Sequence, residues 1–152
     1  MNDPKTRTEA EEVIGAVIIT HGHLASEFIA AAEMIVGPIP HVTPASIDWH
    51  DDIDVARAEL ERAIIRVSHD RGVLLLTDMF GGAPTDIASM FLDDASIEVI
   101  TGVNLPMILK LADQLPGASL AEVSRSVREA GKDGIHVAGE LLTPQTRTKS
   151  SP

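Results

Sequence analysis

Two ionisable side chains follow directly on apolar segments of the chain. His21 comes after the apolar run 13–19 and Thr20, and Asp78 comes after the apolar run 72–76 and Thr77. An imidazole can present a neutral nitrogen to phosphorus as a nucleophile, and a carboxylate on the other ring nitrogen fixes the tautomer and stabilises the developing charge. His21 and Asp78 are therefore candidate catalytic residues for phosphoryl transfer.

The residues after Asp78 could hold the oxygens of a phosphoryl group. Gly81 and Gly82 leave backbone amides uncovered, and Pro84 suits the first turn of a helix, whose N-terminal amides attract anions. The hydroxyl of Thr20 could add a further hydrogen bond. The sequence thus predicts a phosphate-binding loop beside the candidate catalytic pair.

Each of these residues also has a purely structural interpretation. His21 could cap a turn at a strand end, Asp78 could do the same, and β-branched residues such as Thr20 end strands for ordinary reasons. Met79 and Phe80, between the carboxylate and the glycines, could form an apolar lip for a docking partner or could pack into the core. The sequence alone leaves these alternatives open.

A metal site is not expected. His21 and His23 form a His-x-His pair that, with Asp78 or His50, superficially resembles a zinc site, but no third ligand is fixed by spacing. We therefore expect neither a metal nor another cofactor.

Short apolar runs typical of buried strands alternate along the chain with segments whose apolar residues have helical spacing. Strands are predicted at about 13–20, 41–49, 72–78 and 97–101, with a short last strand of unassigned partner at 134–138. Helices are predicted at 24–36, from 50–52 through 67, from Pro84 through Phe91, from Pro106 onwards, and at 119–130 with Gly131 as its stop.

Such alternation predicts an α/β fold, a doubly wound three-layer α/β/α sandwich with a parallel sheet. Pro44 cannot donate to a strand ladder, which places the second strand at an edge. Ligands in these sheets bind at the carboxyl ends of strands where the strand order reverses. If the first and third strands flank that point, His21 and Asp78 both lie in it.

The composition indicates one globular domain with few possible nucleic-acid contacts. The chain has 152 residues, 44% of them hydrophobic, 3% aromatic and none cysteine. Few rings are available to stack on bases, so nucleic-acid binding by stacking is not expected, and thiolate chemistry is excluded. The net charge of −11 would steer a basic protein partner to the surface, or it serves solubility alone. We expect a flexible arm at 1–12, a domain at 13–138 and a disordered tail at 139–152, with no membrane span.

Three segments together resemble a known family. Residues 18–22 (IITHG), 77–84 (TDMFGGAP) and 102–107 (GVNLPM) are similar, in order and spacing, to the signature blocks of the mannose-family IIA component of the bacterial phosphoenolpyruvate-dependent sugar phosphotransferase system. The likeness extends from about 13 to 138. The phosphocarrier subunit of dihydroxyacetone kinase is less similar, because its signature has Ser-His-Ser where this chain has Thr20-His21-Gly22.

The resemblance implies a cytoplasmic phosphocarrier, associated peripherally with the membrane transporter. His21 would accept a phosphoryl group from the histidine phosphocarrier protein and pass it to a IIB component, with the membrane IIC and IID components acting further on. Asp78 would partner the imidazole and leave the other ring nitrogen for phosphorylation. The implied fold has four parallel strands in order 2-1-3-4 and an antiparallel fifth strand, at 134–138, exchanged between subunits of a homodimer.

Two departures from the family pattern have consequences. Ala83 stands where members often have serine, so the phosphate-binding set of Thr20, Gly81, Gly82 and Ala83 would rely on backbone amides in place of that hydroxyl. No IIB domain follows, so the acceptor is expected to be a separate protein, or there is none. In the second case the chain would be a regulatory module that binds other proteins according to the phosphorylation state of His21.

Overall fold

The computed structural model of the chain describes residues 12–48 and 52–142, which form a single parallel sheet covered by helices. The strands are β1 Gly15–Thr20, β2 Val42–Ser46, β3 Val73–Thr77 and β4 Ile97–Thr101. The helices are α1 Leu24–Val36, α2 Ile53–Val67, α3 Ala83–Ser89, α4 Leu105–Ala112, α5 Leu120–Asp133 and α6 Ala138–Leu142. All pairings are parallel and the order is β2-β1-β3-β4, which confirms the predicted 2-1-3-4 sheet.

Each face of the sheet packs against its own group of helices, as the three-layer prediction requires. Successive residues of β1 alternate between the faces: Ala16 and Ile18 pack in a core with α1, α4 and α5, whereas Val17 and Ile19 pack in a second core with α2 and α3. All six residues of β1 and all five of β3 are buried. These two strands are therefore the central pair of the sandwich.

The strand order reverses between β1 and β3. From β1 the chain crosses through α1 to β2 on one side, and from β3 it crosses through α3 to β4 on the other side. The register pairs Ile19 with Thr77, so the residues that follow both strands emerge at the same edge. This edge is where a doubly wound sheet binds its ligands.

The edge position predicted for the second strand is confirmed. Pro44 lies opposite Ile18 in β2, whose only strand neighbour among the described residues is β1. A proline nitrogen on the outer side of an edge strand costs no ladder hydrogen bond.

Helix α5 continues through Gly131, where the sequence predicts a stop, and ends at Asp133. A Cβ at position 131 would lie 2.6 Å from Cγ of Met107, so this glycine allows α4 and α5 to approach closely. The prediction was wrong because glycine within a helix serves interhelical packing as readily as termination.

Helix α3 is shorter than predicted and ends at Ser89. Met90 and Phe91, predicted on its buried stripe, fall in the turns that follow; Met90 is exposed and Phe91 packs partly against the core of α2 and α3. Periodicity of apolar residues over so short a segment could not distinguish the helix from the turns after it.

The strand predicted at 134–138 does not form within this chain. Gly134 is the C-cap of α5, the next three residues are irregular, and α6 begins at Ala138. A strand is stabilised by pairing with a neighbouring strand, and no sheet pairing of these residues occurs among those the structure describes. Ile135 and Val137 are instead exposed.

The predicted termini lie largely beyond the described residues. Of the predicted arm only residue 12 is described, and of the predicted tail only 139–142, which belong to α6. His50 and Asp51, predicted to open the second helix, are likewise outside the description, and Asp52 is the N-cap of α2. In the described ranges, none of the helices combines the length and apolar character that crossing a bilayer requires.

Candidate active site

His21 and Asp78 meet at the carboxyl edge of the central strands. Oδ2 of Asp78 lies 2.7 Å from Nδ1 of His21 and also accepts the backbone N–H of His21 at 2.9 Å. One carboxylate oxygen thus holds both the ring and the main chain of the histidine. The structure brings together the two residues that the sequence singled out.

The hydrogen bonds at this site keep Asp78 ionised. Burial has the largest influence on the pKa of Asp78 and would raise it, but the hydrogen bonds from the backbone amide and the imidazole of His21 together outweigh burial and lower the pKa below its ordinary value. An ionised carboxylate only accepts hydrogen bonds, so the 2.7 Å contact requires a proton on Nδ1. In a neutral imidazole, Nε2 then carries the lone pair.

Nε2 of His21 lies against the glycine loop. A Cβ built on Gly82 would be 3.3 Å from both Cε1 and Nε2 of the imidazole. Gly81 and Gly82 have φ values of 89° and 87°, a region that other residues rarely adopt. The side chain of His21 is 28% exposed, so the ring is held by its neighbours and still reachable from solvent.

The predicted phosphate-binding residues divide into two groups. Gly81, Gly82 and Ala83 connect the carboxylate loop to the start of α3, and Gly82 lies against Cε1 and Nε2 of the imidazole. Thr20, by contrast, is 0% exposed, and its Oγ1 accepts the backbone N–H of Ala25 at 2.8 Å. The hydroxyl fastens the first turn of α1 to the end of β1, and its predicted contact with phosphate stays a prediction.

The apolar pair beside the carboxylate projects into solvent. Met79 and Phe80 are 55% and 85% exposed, so the alternative of core packing does not apply to them. They remain candidates for contact with a protein partner.

The His-x-His pair is not part of a metal-ligand cluster among the described residues. His23 is the exposed N-cap of α1, and the described part of the chain holds no group of three or more possible metal ligands. His50 lies outside the described residues.

Thr85 is a residue that sequence reasoning missed. It lies in the first turn of α3, almost fully buried, and its Oγ1 donates to the backbone carbonyl of Met79 at 2.6 Å. Oγ1 of Thr77 is 3.1 Å from Oγ1 of Thr85. No spacing pattern reveals such a contact, because it depends on how the loop folds back over the helix.

Comparison with known proteins identifies one family. A family model described as "PTS system fructose IIA component" matches residues 15–128. The chain is 32% identical over 129 residues to the "PTS system mannose-specific EIIAB component" of Escherichia coli K12, which covers 80% of this chain but only 38% of that protein. It therefore spans well under half the length of these relatives. The "PTS system sorbose-specific EIIA component" of Lacticaseibacillus casei is 27% identical over 132 residues, which cover 86% of this chain and 95% of the relative.

Solved structures show the same architecture. The PTS IIA protein associated with the fucose utilization operon from Streptococcus pneumoniae superposes with a TM-score of 0.72 at 26% identity, covering 85% of this chain and 96% of the other. The mannose/sorbose specific IIA subunit from Enterococcus faecalis superposes with a TM-score of 0.74 at 23% identity, covering 82% and 94% of the two chains. The second likeness concerns the fold alone.

Proposed function

We propose that this chain, which belongs to the mannose family of IIA components of the sugar phosphotransferase system, carries a phosphoryl group on His21. IIA components of this system are phosphotransferases that work with the histidine phosphocarrier protein and a IIB component. The observation that carries the proposal is the 2.7 Å contact between Nδ1 of His21 and Asp78, which assigns the lone pair to Nε2.

In the proposed step the lone pair of Nε2 attacks the phosphorus of a phosphohistidine on the donor. A new N–P bond forms as the donor N–P bond breaks, and the electron pair of that bond returns to the donor imidazole. The ring of His21 becomes positively charged, and the carboxylate of Asp78 stabilises this charge through Nδ1–H. The same step in reverse delivers the phosphoryl group to an acceptor.

Backbone amides are the proposed donors to the phosphoryl oxygens. Gly81, Gly82 and Ala83 follow one another in the chain, Gly82 lies against Nε2 of the ring, and Ala83 offers no hydroxyl. Because phosphoryl transfer needs mainly alignment and charge stabilisation, correctly placed amides suffice for this role.

The proposed partners are proteins. The donor is the histidine phosphocarrier protein and the acceptor is a IIB component, both in the cytoplasm. Membrane IIC and IID components act after IIB. We further propose a homodimer in which residues 134–138 of each subunit pair with the other subunit, consistent with the exposure of Ile135 and Val137 in the single chain.

The test is phosphorylation of the purified protein by phosphoenolpyruvate and the two general phosphotransfer proteins, followed by addition of candidate IIB proteins. We expect acid-labile phosphate on this chain and its transfer to a IIB protein. Absence of labelling would refute the proposal. Phosphate that remains on this chain after every candidate IIB protein has been added would favour the regulatory alternative. Adjacent IIB, IIC and IID genes would instead favour transport.

Phe80 is predicted to anchor the donor. Its ring is 85% exposed beside the catalytic pair, and aromatic anchors commonly dominate protein contacts. Phe80→Ala should raise KM for the phosphorylated histidine phosphocarrier protein about ten-fold and leave kcat nearly unchanged, since the side chain touches no reacting atom. Initial rates at several donor concentrations measure both constants.

Leu115→Ala is the matched control for Phe80. Leu115 is similarly exposed but follows Gln114, which binds the backbone of Ile14 just before β1, at the opposite end of the sheet. Its removal should leave KM unchanged. Equal effects of the two substitutions, or none from Phe80→Ala, would contradict the anchor.

A further inference from the structure

A pair of buried hydroxyls lies beneath the loop that carries the carboxylate and the glycines. Thr77 ends β3 and is 0% exposed, and Thr85, in α3, is 6% exposed. Oγ1 of Thr85 is 2.6 Å from the carbonyl oxygen of Met79 and 3.1 Å from Oγ1 of Thr77. The loop between them runs from Asp78 to Gly82.

The direction of these hydrogen bonds follows from the atoms present. The carbonyl of Met79 only accepts, so Thr85 must donate its single hydroxyl proton to it. The 3.1 Å contact then needs the proton of Thr77, whose Oγ1 is also 3.4 Å from the same carbonyl. The two hydroxyls therefore form a chain, in which Thr77 donates to Thr85 and Thr85 donates to the carbonyl of Met79, and burial leaves little room for water to replace them.

The carbonyl of Met79 belongs to the peptide immediately after the catalytic carboxylate residue. Further along the loop, Gly81 and Gly82 have left-handed φ values and no side chains to fix their positions by packing. The glycines restrain this loop poorly, so the hydrogen bond from Thr85 is an important restraint on its position.

We propose that Thr85 is a positioning residue: through the carbonyl of Met79 it holds the 78–82 loop so that Asp78 meets Nδ1 of His21 and Gly82 lies against Nε2. Thr85 does not contact the phosphoryl group itself, since it is buried below the loop. The kinetic part of this inference rests on the proposed function of His21. Because Ala83 supplies no hydroxyl, the donors to phosphate are all backbone amides, and their placement depends on this restraint.

The test compares Thr85→Val with Thr85→Ser. Valine keeps the shape and loses the hydroxyl, so the rate of phosphoryl acceptance at saturating donor should fall about ten-fold with KM unchanged, whereas serine should restore it. Thr43→Val, which removes a hydroxyl from β2, is the matched control and should react as wild type. A normal rate for Thr85→Val, or an equal loss in Thr85→Ser, would overturn the proposal.

A second measurement does not depend on phosphorylation. The ¹⁵N shifts of the His21 ring in the unphosphorylated protein report which nitrogen carries the proton, and they should move toward a tautomer mixture in Thr85→Val but not in Thr85→Ser. Unchanged shifts would refute positioning. Changed shifts in a protein that is never phosphorylated would uphold positioning and refute the proposed function.

Thr77→Val provides the same test if Thr85→Val fails to fold. It removes only the second hydroxyl, so Met79 keeps its 2.6 Å bond and the loss of rate should be smaller and in the same direction. A rate and ring shifts identical to wild type would contradict the arrangement of two coupled hydroxyls, and with it the inference.

Discussion

His21→Ala is expected to abolish the incorporation of acid-labile phosphate from phosphoenolpyruvate and the general phosphotransfer proteins. The variant lacks the imidazole held by Asp78, and alanine offers no nucleophile to phosphorus. The fold should persist, because the backbone N–H of residue 21 can still donate to Asp78 and the lost side chain is partly exposed. Labelling with ³²P and thermal unfolding measure the two effects.

His23→Ala is the matched control for this substitution. His23 is two residues away at the same edge of the sheet, and its exposed side chain makes no capping bond to α1. The control should be labelled as wild type and unfold within about 1 kcal/mol of it. Phosphate retained by the His21→Ala protein would place the reactive residue elsewhere.

Asp78→Asn is expected to slow phosphoryl transfer roughly 100-fold, by analogy with the loss of charge and tautomer control when an orienting carboxylate becomes an amide. Oδ2 of Asp78 accepts from both Nδ1 and the backbone N–H of His21. The side-chain oxygen of asparagine can accept the same two hydrogen bonds, but it carries no negative charge to stabilise the imidazolium. Rapid-quench kinetics give the rate, and ring ¹⁵N shifts give the tautomer.

Asp86→Asn controls for the change in net charge. Asp86 is an exposed carboxylate on α3, and its neutralisation should leave the transfer rate near wild type. If Asp78→Asn also transferred at the wild-type rate, Asp78 would be reduced to a residue that shapes the turn.

The lowered pKa of Asp78 also predicts how stability depends on pH. A carboxyl group whose pKa is lower in the folded state stabilises the protein above its ordinary pKa, and this contribution is lost as the pH falls through the lowered value. Unfolding free energies of wild type and Asp78→Asn should therefore differ most at neutral pH and converge below the ordinary value of 3.8. A constant difference across that range would contradict the shift.

The central sheet and the meeting of His21 with Asp78 were predictable because they depend on local patterns and topology. Apolar runs fully buried in β1 and β3 mark the central strands, and parallel strands bring their following residues to one edge. The sequence did not determine whether Phe80 is exposed, because an aromatic side chain at this position could equally pack into the core. Sequence patterns specify the burial of strands better than that of loop side chains.

The remaining features arise from contacts between segments distant in sequence or folded over one another. Thr20 turned out to hold α1, Thr85 to hold a loop carbonyl, and Gly131 to admit Met107, and none of these roles follows from residue type. The segment 134–138 resembles a strand in composition but pairs with neither edge of the sheet in the described chain. Local propensity cannot decide such cases, because the partner is supplied by tertiary or quaternary structure.

The contact between His21 and Asp78 joins segments that lead into the two helical layers of the sandwich. His21 leads into α1, which packs on one face, and the loop after Asp78 leads into α3, which packs on the other. If the polypeptide were divided between β2 and α2, His21 would stay with one fragment and Asp78 with the other. Phosphorylation of His21 with the support of Asp78 would then require the two fragments to associate. Measuring it would therefore be an assay for fragment complementation.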